Sequence, residues 1–489
     1  MHAERLPPRT KLGFGVGSIA EASITIAFNT FNFLFYNQVL GLSGTLCGLA
    51  VTIAMVVDAL ADPLIGSLSD RTHSRLGRRH PFLLAAPIPL AVSFYLLFSP
   101  PEGLSEGLLF VWFTVFSLIG RTSMSVYNVA HLALGAELSR DYRERSVIMS
   151  YNVVFHVVGG SLAYFFGWTW FSKIEGGSTV RAGYAPMALA VGVLAAVAIF
   201  APAYFTRDRI RYLPAPPRDQ PPFSMRELFR EIQACLRNRN YTALLLGFLL
   251  LSATLGTRET LQPLTSLFFW QLPEKGIRVF GLASPPAFVL AFFLTARLHA
   301  RYDKRATILA SVVVVVLCVA LPIPLHLLGA FPTELGKLTA VLFAIVFLFY
   351  LAFAILSISL LSALADIADE HELSSGKRQE GIFFAARALF LKAASGMGHI
   401  VGGVAIDAIG FPKGAVPGQV ARDIVVQLGI IDGPVIAVPA LLSVIYFMRY
   451  RLDRASHAAT QQQLLARAPA DAAVVVAPVE APVVAQPAQ

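Results

Sequence analysis

Stretches of predominantly apolar residues, each close to the roughly 20 needed to cross a bilayer as a helix, recur about every 30 to 40 residues along the chain. That rhythm leaves little room for soluble domains. Hydropathy places twelve spans, at about 12–39, 44–69, 81–99, 105–137, 146–171, 185–205, 241–271, 279–298, 306–329, 336–366, 381–406 and 424–448. Composition agrees, since 56% of residues are hydrophobic and 14% charged, against roughly a quarter charged in a soluble domain. The 489 residues therefore read as one all-α membrane protein. The first eleven residues lead straight into a span longer than a signal-peptide core, so that span is expected to be retained.

The connections alternate in charge. One side carries the N-terminus, Arg71 to Arg79, Arg140 to Arg145, Arg207 to Arg239, Arg297 to Arg305, Lys377 with Arg378, and Arg449, Arg451 and Arg454. The other carries isolated bases such as Lys173, Arg181, Lys275, Lys337 and Lys413. The positive-inside rule then puts both termini in the cytoplasm, and the even number of spans agrees. The net charge of +9 is assigned to loops facing an anionic leaflet rather than to nucleic acid. Cys47, Cys235 and Cys318 lack metal-ligand or CxxC spacing and read as free thiols.

Residues 206–240 divide the chain into six spans and six, at 1–205 and 241–448. Pro214-Ala-Pro-Pro217 and Pro221-Pro222 indicate an extended linker, and Ser224-Met-Arg-Glu227 a capping box opening a basic amphipathic helix at the membrane surface, either a tether or a regulatory element. Residues 449–489 are expected to be a disordered tail. The halves echo each other: Ala133-Leu-Gly-Ala-Glu closes span 4 as Ala363-Leu-Ala-Asp closes span 10, and Arg71 to Arg79 has a looser counterpart in Arg297 to Arg305. Two parallel six-helix repeats with a midplane site are a transporter arrangement.

Asp58 and Asp62 lie inside span 2, four residues apart and so on one helical face. A carboxylate in hydrocarbon costs at least ~2.5 kcal/mol, so the pair must face a cavity or a partner. A cation site is the simplest reading, and structural pairing with Lys392 the alternative. Further intramembrane charges are Glu21, Arg121, Arg258, Glu259 and Arg387. Arginines facing a cavity would favour an anionic group on a substrate, whereas Arg258 paired to a carboxylate on another helix would be structural. His131, His156 and His399 suit interhelical hydrogen bonds or a proton relay, and Phe31, Phe35, Tyr36 and Tyr127 suit packing, with Tyr127 also a candidate to stack on a sugar ring. Asp70, Arg78, Arg79, Glu137, Arg145 and Asp366, at the basic ends of helices, are candidate gate residues whose salt bridges could tie the two halves together.

Asp58-Ala-Leu-Ala-Asp-Pro-Leu-Ile-Gly-Ser-Leu-Ser-Asp-Arg71 followed by Gly77-Arg-Arg-His-Pro-Phe82 resembles the helix 2 and loop 2–3 signature of the glycoside-pentoside-hexuronide:cation symporters, the melibiose permease group of the major facilitator superfamily. Lys11 to Gly17, His131 to Arg145, and Asp366 to Gly381 leading to Lys392 fit the same group in the same order. The resemblance implies the twelve-helix major facilitator fold, coupling-cation binding (Na+, Li+ or H+) by Asp58 and Asp62 with Ser125 as a hydroxyl ligand, and Lys392 as the link between cation and substrate. Oxygen ligands suit small hard cations. Two sugar-recognising acids of the melibiose permease type appear here as Ala22 and Asn128, with Glu21 beside the first, so the substrate's identity does not carry over.

The expected function is cation-coupled uptake of a sugar, glycoside or related solute by alternating access, with no enzymatic activity, no cofactor besides a coupling Na+ or H+, and no fixed metal. Glu21, Arg121, Tyr127, Asn128, Arg258 and Arg387 are the candidate substrate contacts. The expected setting is an inner membrane, as a monomer in contact with lipid and without nucleic acid. Two other readings stand beside it: a membrane prenyltransferase using Asp58-x-x-x-Asp62 and Asp366-x-x-Asp369 as Mg-diphosphate motifs, and a non-transporting sensor on the same fold.

Overall fold

Among the described residues twelve helices are long and apolar enough to cross a membrane: α1 (Pro8–Val39), α2 (Gly44–Arg71), α3 (His80–Leu97), α4 (Glu106–Glu137), α5 (Arg143–Phe171), α6 (Arg181–Phe205), α7 (Arg239–Phe269), α8 (Glu274–Arg301), α9 (Lys304–Leu327), α10 (Leu335–Leu373), α11 (Gly381–Ala408) and α12 (Arg422–Phe447). The computed structural model describes residues 6–139, 141–213, 224–375, 380–452 and 454–467. Arg140, the proline-rich stretch at 214–223, Lys377 with Arg378, and the tail beyond 467 lie outside the described residues.

Local chemistry sets the helix starts. Ser43, Ser105, Asp141 and Asn238 each accept a hydrogen bond from the backbone N–H three residues on, which satisfies a donor the helix itself cannot pair. α10 departs most from expectation, because its helix continues to Ser375. Asp366-Ile-Ala-Asp-Glu-His-Glu carries no glycine or proline, so the acids mark the exit from the apolar layer and not the end of the helix. At ~1.5 Å per residue its 41 residues reach about 60 Å, twice a hydrocarbon core of ~30 Å.

The halves correspond at residue n and n + 230, as 44 and 71 of α2 correspond to 274 and 301 of α8. Even a local irregularity repeats. α1 ends in a π-helical turn at Leu34–Val39 and α7 in one at Thr265–Phe269. Leu40 N–H donates to the Phe35 carbonyl and Trp270 N–H to that of Thr265; Leu42 N–H donates to Tyr36 and Leu272 N–H to Ser266.

Two helix pairs make the main seams between the halves, with α1 meeting α7 between them. The contact of α2 with α11 is the most extensive in the molecule, and α5 with α8 is its counterpart. Small residues allow the close approach: a Cβ on Gly44 would fall 2.4 Å from the Gly403 carbonyl oxygen, and one on Gly48 equally close to that of His399. Asp407 closes this seam by accepting from Gly44 N–H (2.8 Å), Thr45 N–H (2.8 Å) and the Thr45 hydroxyl (2.6 Å), capping α2 from across the interface. In the second seam the Ser161 and Ser284 hydroxyls hydrogen-bond at 2.7 Å. Both seams lie toward the end opposite the basic loops, the far end.

The linker helix, Met225–Cys235, is capped by Ser224 and turns Ile232 and Cys235 inward against the bundle. Burial, then Glu231, pushes the Cys235 thiol up to about 11. The tail is not wholly irregular: Arg454–Arg467 forms a helix on α10, held by His457 beside Asp366 (3.4 Å) and Asp369 (3.2 Å). Those acids are presented by the extended α10, a partner that the tail's own composition does not reveal.

Candidate functional site

Four of the expected residues converge between α2, α4 and α11. Lys392 Nζ lies 2.9 Å from Asp58 Oδ2 and 2.6 Å from Asp62 Oδ2. The Ser125 hydroxyl lies 2.6 Å from Asp58 Oδ1 and also against Asp62 Oδ1, so it bridges the two carboxylates. Arg121 adds a longer contact to Asp58 at 3.5 Å. Spacing explains the convergence: residues 58 and 62 stack one turn apart on α2, as 121 and 125 do on α4. Asp58 is buried, whereas Asp62 and Lys392 are half-buried. The Asp58 carboxylate thus meets two bases and a hydroxyl, the compensation that a buried charge requires.

A cavity of about 240 Å³ opens beside the cluster, lined by Glu21, Phe28, Asp58, Arg121, Asn128 and Lys392 among others. Asn128 Nδ2 donates to Glu21 Oε1 at 2.9 Å, and His156 Nδ1 lies 3.7 Å from Glu21 Oε2. The bond to Glu21 orients the Asn128 amide and leaves its Oδ1 buried without a partner. Arg121 packs over the Phe28 ring at 5.5 Å, with its Nε also unpartnered. A polar ligand can satisfy both atoms.

Tyr127, one residue before Asn128, points elsewhere. It is fully buried and stacks on His131 at 5.0 Å between ring centroids, so the sugar-stacking reading is corrected. One residue turns a helix by about 100°, which separates the packing face of α4 from its cavity face. Arg387 is corrected as well. It lies over the Phe248 ring at 4.6 Å in a separate cleft with Tyr241 and Leu364, away from both solute-sized cavities.

A second cavity, of about 220 Å³, is lined by Arg258, Glu259, Gln262, Tyr164, Phe349 and Tyr350 among others. Arg258 is paired across to α12: its Nη1 lies 3.7 Å from Asp432 Oδ1 and 3.4 Å from the Asp432 carbonyl oxygen. Asp432 was not singled out in the sequence, although a lone acid in the apolar run Gly429-Ile-Ile-Asp-Gly-Pro434 is the signal that could have found it. Glu259 Oε2 accepts from Asn29 Nδ2 at 3.0 Å and lies 3.5 Å from His399 Nε2, while His399 Nδ1 meets the Thr260 hydroxyl at 2.7 Å. Residues 29 and 259 are equivalent positions of the two halves, so this contact marks their pseudo-symmetry axis. His131 bonds the Phe14 carbonyl at 2.9 Å.

The candidate gate residues pair within each half. Gly77 (φ 75°) lets the basic loop after α2 turn back, and Arg79 then reaches Asp70 (2.5 Å) and Glu137 (2.6 Å), with Arg78 2.9 Å from Glu137. Asp366 pairs with Lys304 at 2.6 Å, and Glu370 accepts from Asn238 and Asn240 at 3.1 Å. Burial and then these acids push the Tyr450 hydroxyl up. Arg145 contacts the Ser139 carbonyl at 3.3 Å and is exposed. Salt bridges across the halves were expected of this group. Here each described partner of these residues lies in the same half, and the described cross-half hydrogen bonds and ion pairs include a series from Lys392 to the far end.

The prenyltransferase reading needs clustered carboxylates. Asp58 and Asp62 are engaged by Lys392, and Asp366 separately by Lys304; among the described residues no group of three His, Cys, Asp or Glu side chains could hold a metal ion.

A family model described as MFS/sugar transport protein matches residues 13–454, and the chain belongs to that family of membrane transporters. The isoprimeverose transporter of Lactiplantibacillus pentosus is 23% identical over 463 residues, 93% of this chain and 91% of its own. A putative glycoside/cation symporter of Escherichia coli (strain K12), YagG, is 25% identical over 399 residues, 82% of each chain. Two uncharacterized symporters match at 34% and 33% identity, but there the chain spans only 30% and 34% of their lengths. Among solved structures, the nucleoside transporter NupG superposes with a TM-score of 0.62 at 15% identity, over 90% of this chain and 100% of its own, which establishes a shared fold.

Proposed function

We propose that the chain is a cation-coupled symporter that moves a sugar-like solute by alternating access. The observation that carries this reading is the joint hold of Lys392 and Ser125 on Asp58 and Asp62 beside a polar cavity. Lys392 stands where a small cation would stand: its ammonium neutralises the two carboxylates, and Na+ or a proton can take over that role once the lysine moves. Because Lys392 also lines the cavity, filling the ion site changes what the solute meets there. Coupling is then reciprocal, since whatever factor the cation adds to solute affinity the solute adds to cation affinity.

Asn128, oriented by Glu21, offers a carbonyl acceptor for a solute hydroxyl. Arg121 is already drawn to Asp58, which favours a neutral glycoside over its uronic acid. The full-length relatives support a glycoside, one being an isoprimeverose transporter and one a putative glycoside/cation symporter. With the basic end in the cytoplasm, the sealed far end is the outer face of an inner-membrane monomer, and this conformation is inward-facing.

The test is uptake into vesicles of purified protein. Imposing a Na+ or proton gradient with a panel of neutral and anionic glycosides should drive one neutral glycoside above equilibrium. If no gradient drives accumulation of any solute, the sensor reading takes its place.

A further inference from the structure

A basic cleft away from the solute cavities has no assigned role. It measures about 480 Å³, lies where α7 begins and α12 ends, and is lined by Arg237, Arg239, Arg449 and Arg451 with Leu246 and Tyr446 among its other walls. None of its lining residues is acidic. Among the described residues none of the four guanidiniums pairs with a carboxylate, in contrast to Arg78, Arg79 and Lys304. Glu370, the acid bonded to the lining residue Asn240, accepts from both Asn238 and Asn240.

Two contacts shape the α12 side of the cleft. The Arg451 N–H donates to Asn240 Oδ1 at 3.1 Å, which ties the exit of α12 to the start of α7. Arg449 lies over the Tyr446 ring at 5.4 Å, a contact that limits where its guanidinium can go. Four like charges converging with no carboxylate partner among the described residues repel one another, and the arrangement is relieved by an anion bearing several acceptor oxygens.

One side of the cleft is apolar. Leu246 lines it, and Leu442 and Ile445, next to Tyr446 on α12, are exposed on the surface of a membrane-spanning helix. Tyrosine and arginine at a helix end belong to the headgroup level of a bilayer. A soluble anion would use only the basic wall, whereas a lipid uses both. We propose that this cleft binds the phosphate of an anionic phospholipid, with the acyl chains lying along the α7 and α12 surface beside Leu246.

The experiment uses the full chain in phosphatidylcholine nanodiscs, titrated with cardiolipin or phosphatidylglycerol and, in a separate arm, with inorganic phosphate. Thermal stability and lipid retention in native mass spectrometry are the readouts. Cardiolipin should raise the melting temperature and be retained, and Arg239→Gln with Arg449→Gln should weaken its binding by about 30-fold. Arg237→Gln with Arg451→Gln, on the same cleft, gives a second reading if the first pair fails to fold. Equal cardiolipin binding by wild type and either folded variant would overturn the proposal. So would inorganic phosphate producing the same stabilisation at the same concentration, since the site would then take a soluble anion.

Discussion

The two halves share a backbone plan down to a repeated π-turn, yet they carry opposite chemistry at equivalent positions. Asp58 and Asp62 on α2 correspond to Phe288 and Phe292 on α8, and Phe28 and Asn29 on α1 to Arg258 and Glu259 on α7. The paired carboxylates Asp58 and Asp62 lie in the first half, where Lys392 reaches them from across the interface. In the second half Arg258 and Asp432 pair within one bundle, with no cross-half partner among the described residues. In the proposed mechanism the fold supplies the symmetry of the rocking motion, and the side chains break it to make one ion site.

The largest effect should follow from removing a charge on each side of that comparison. Asp58→Asn or Asp62→Asn should abolish gradient-driven accumulation while solute exchange persists, whereas Asp432→Asn should keep accumulation. Vesicle uptake and counterflow separate the outcomes, and loss of cation dependence in Asp432→Asn would break the asymmetry. Lys392→Ala leaves two carboxylates facing each other. It should destabilise the protein by up to about 3 kcal/mol, recovered by Na+ or by low pH, as read by denaturation in detergent.

Phe288→Asp puts a carboxylate where the second half lacks a partner for it. It should cost about 2.5–3.5 kcal/mol without creating a second cation dependence. A smaller effect is expected at the seam. Gly48→Leu pushes α2 from α11, so maleimide labelling of the buried Cys47 should rise. The other two thiols, Cys235 and Cys318, are replaced by serine so that the reading reports Cys47 alone. Unchanged Cys47 labelling in a folded Gly48→Leu protein would show that the seam does not set access.

The spans were legible because twenty apolar residues in a row have few other fates, and the ion cluster because charge inside such a run demands compensation. Spacing alone put Asp58 with Asp62, but only the packing of α2 on α11 shows that Lys392 reaches both. Asp407 could not be recognised as a cap for α2, since its partners lie more than 360 residues away. Tyr127 and Asn128 were read together because neighbours in sequence look alike on paper, while a helix turns them to different faces. The pairing of Asp366 with Lys304 was hidden for a related reason: the packing of α10 on α9, and not any spacing in the sequence, buries this acid beside that lysine.

The most direct test measures solute affinity with and without the coupling cation, and cation affinity with and without solute, in wild type and in Asp58→Asn. The account predicts that the two factors are equal in wild type and that both fall to one in the variant. Solute binding in wild type that is indifferent to Na+ and to pH, or a cation effect that survives Asp58→Asn, would contradict it.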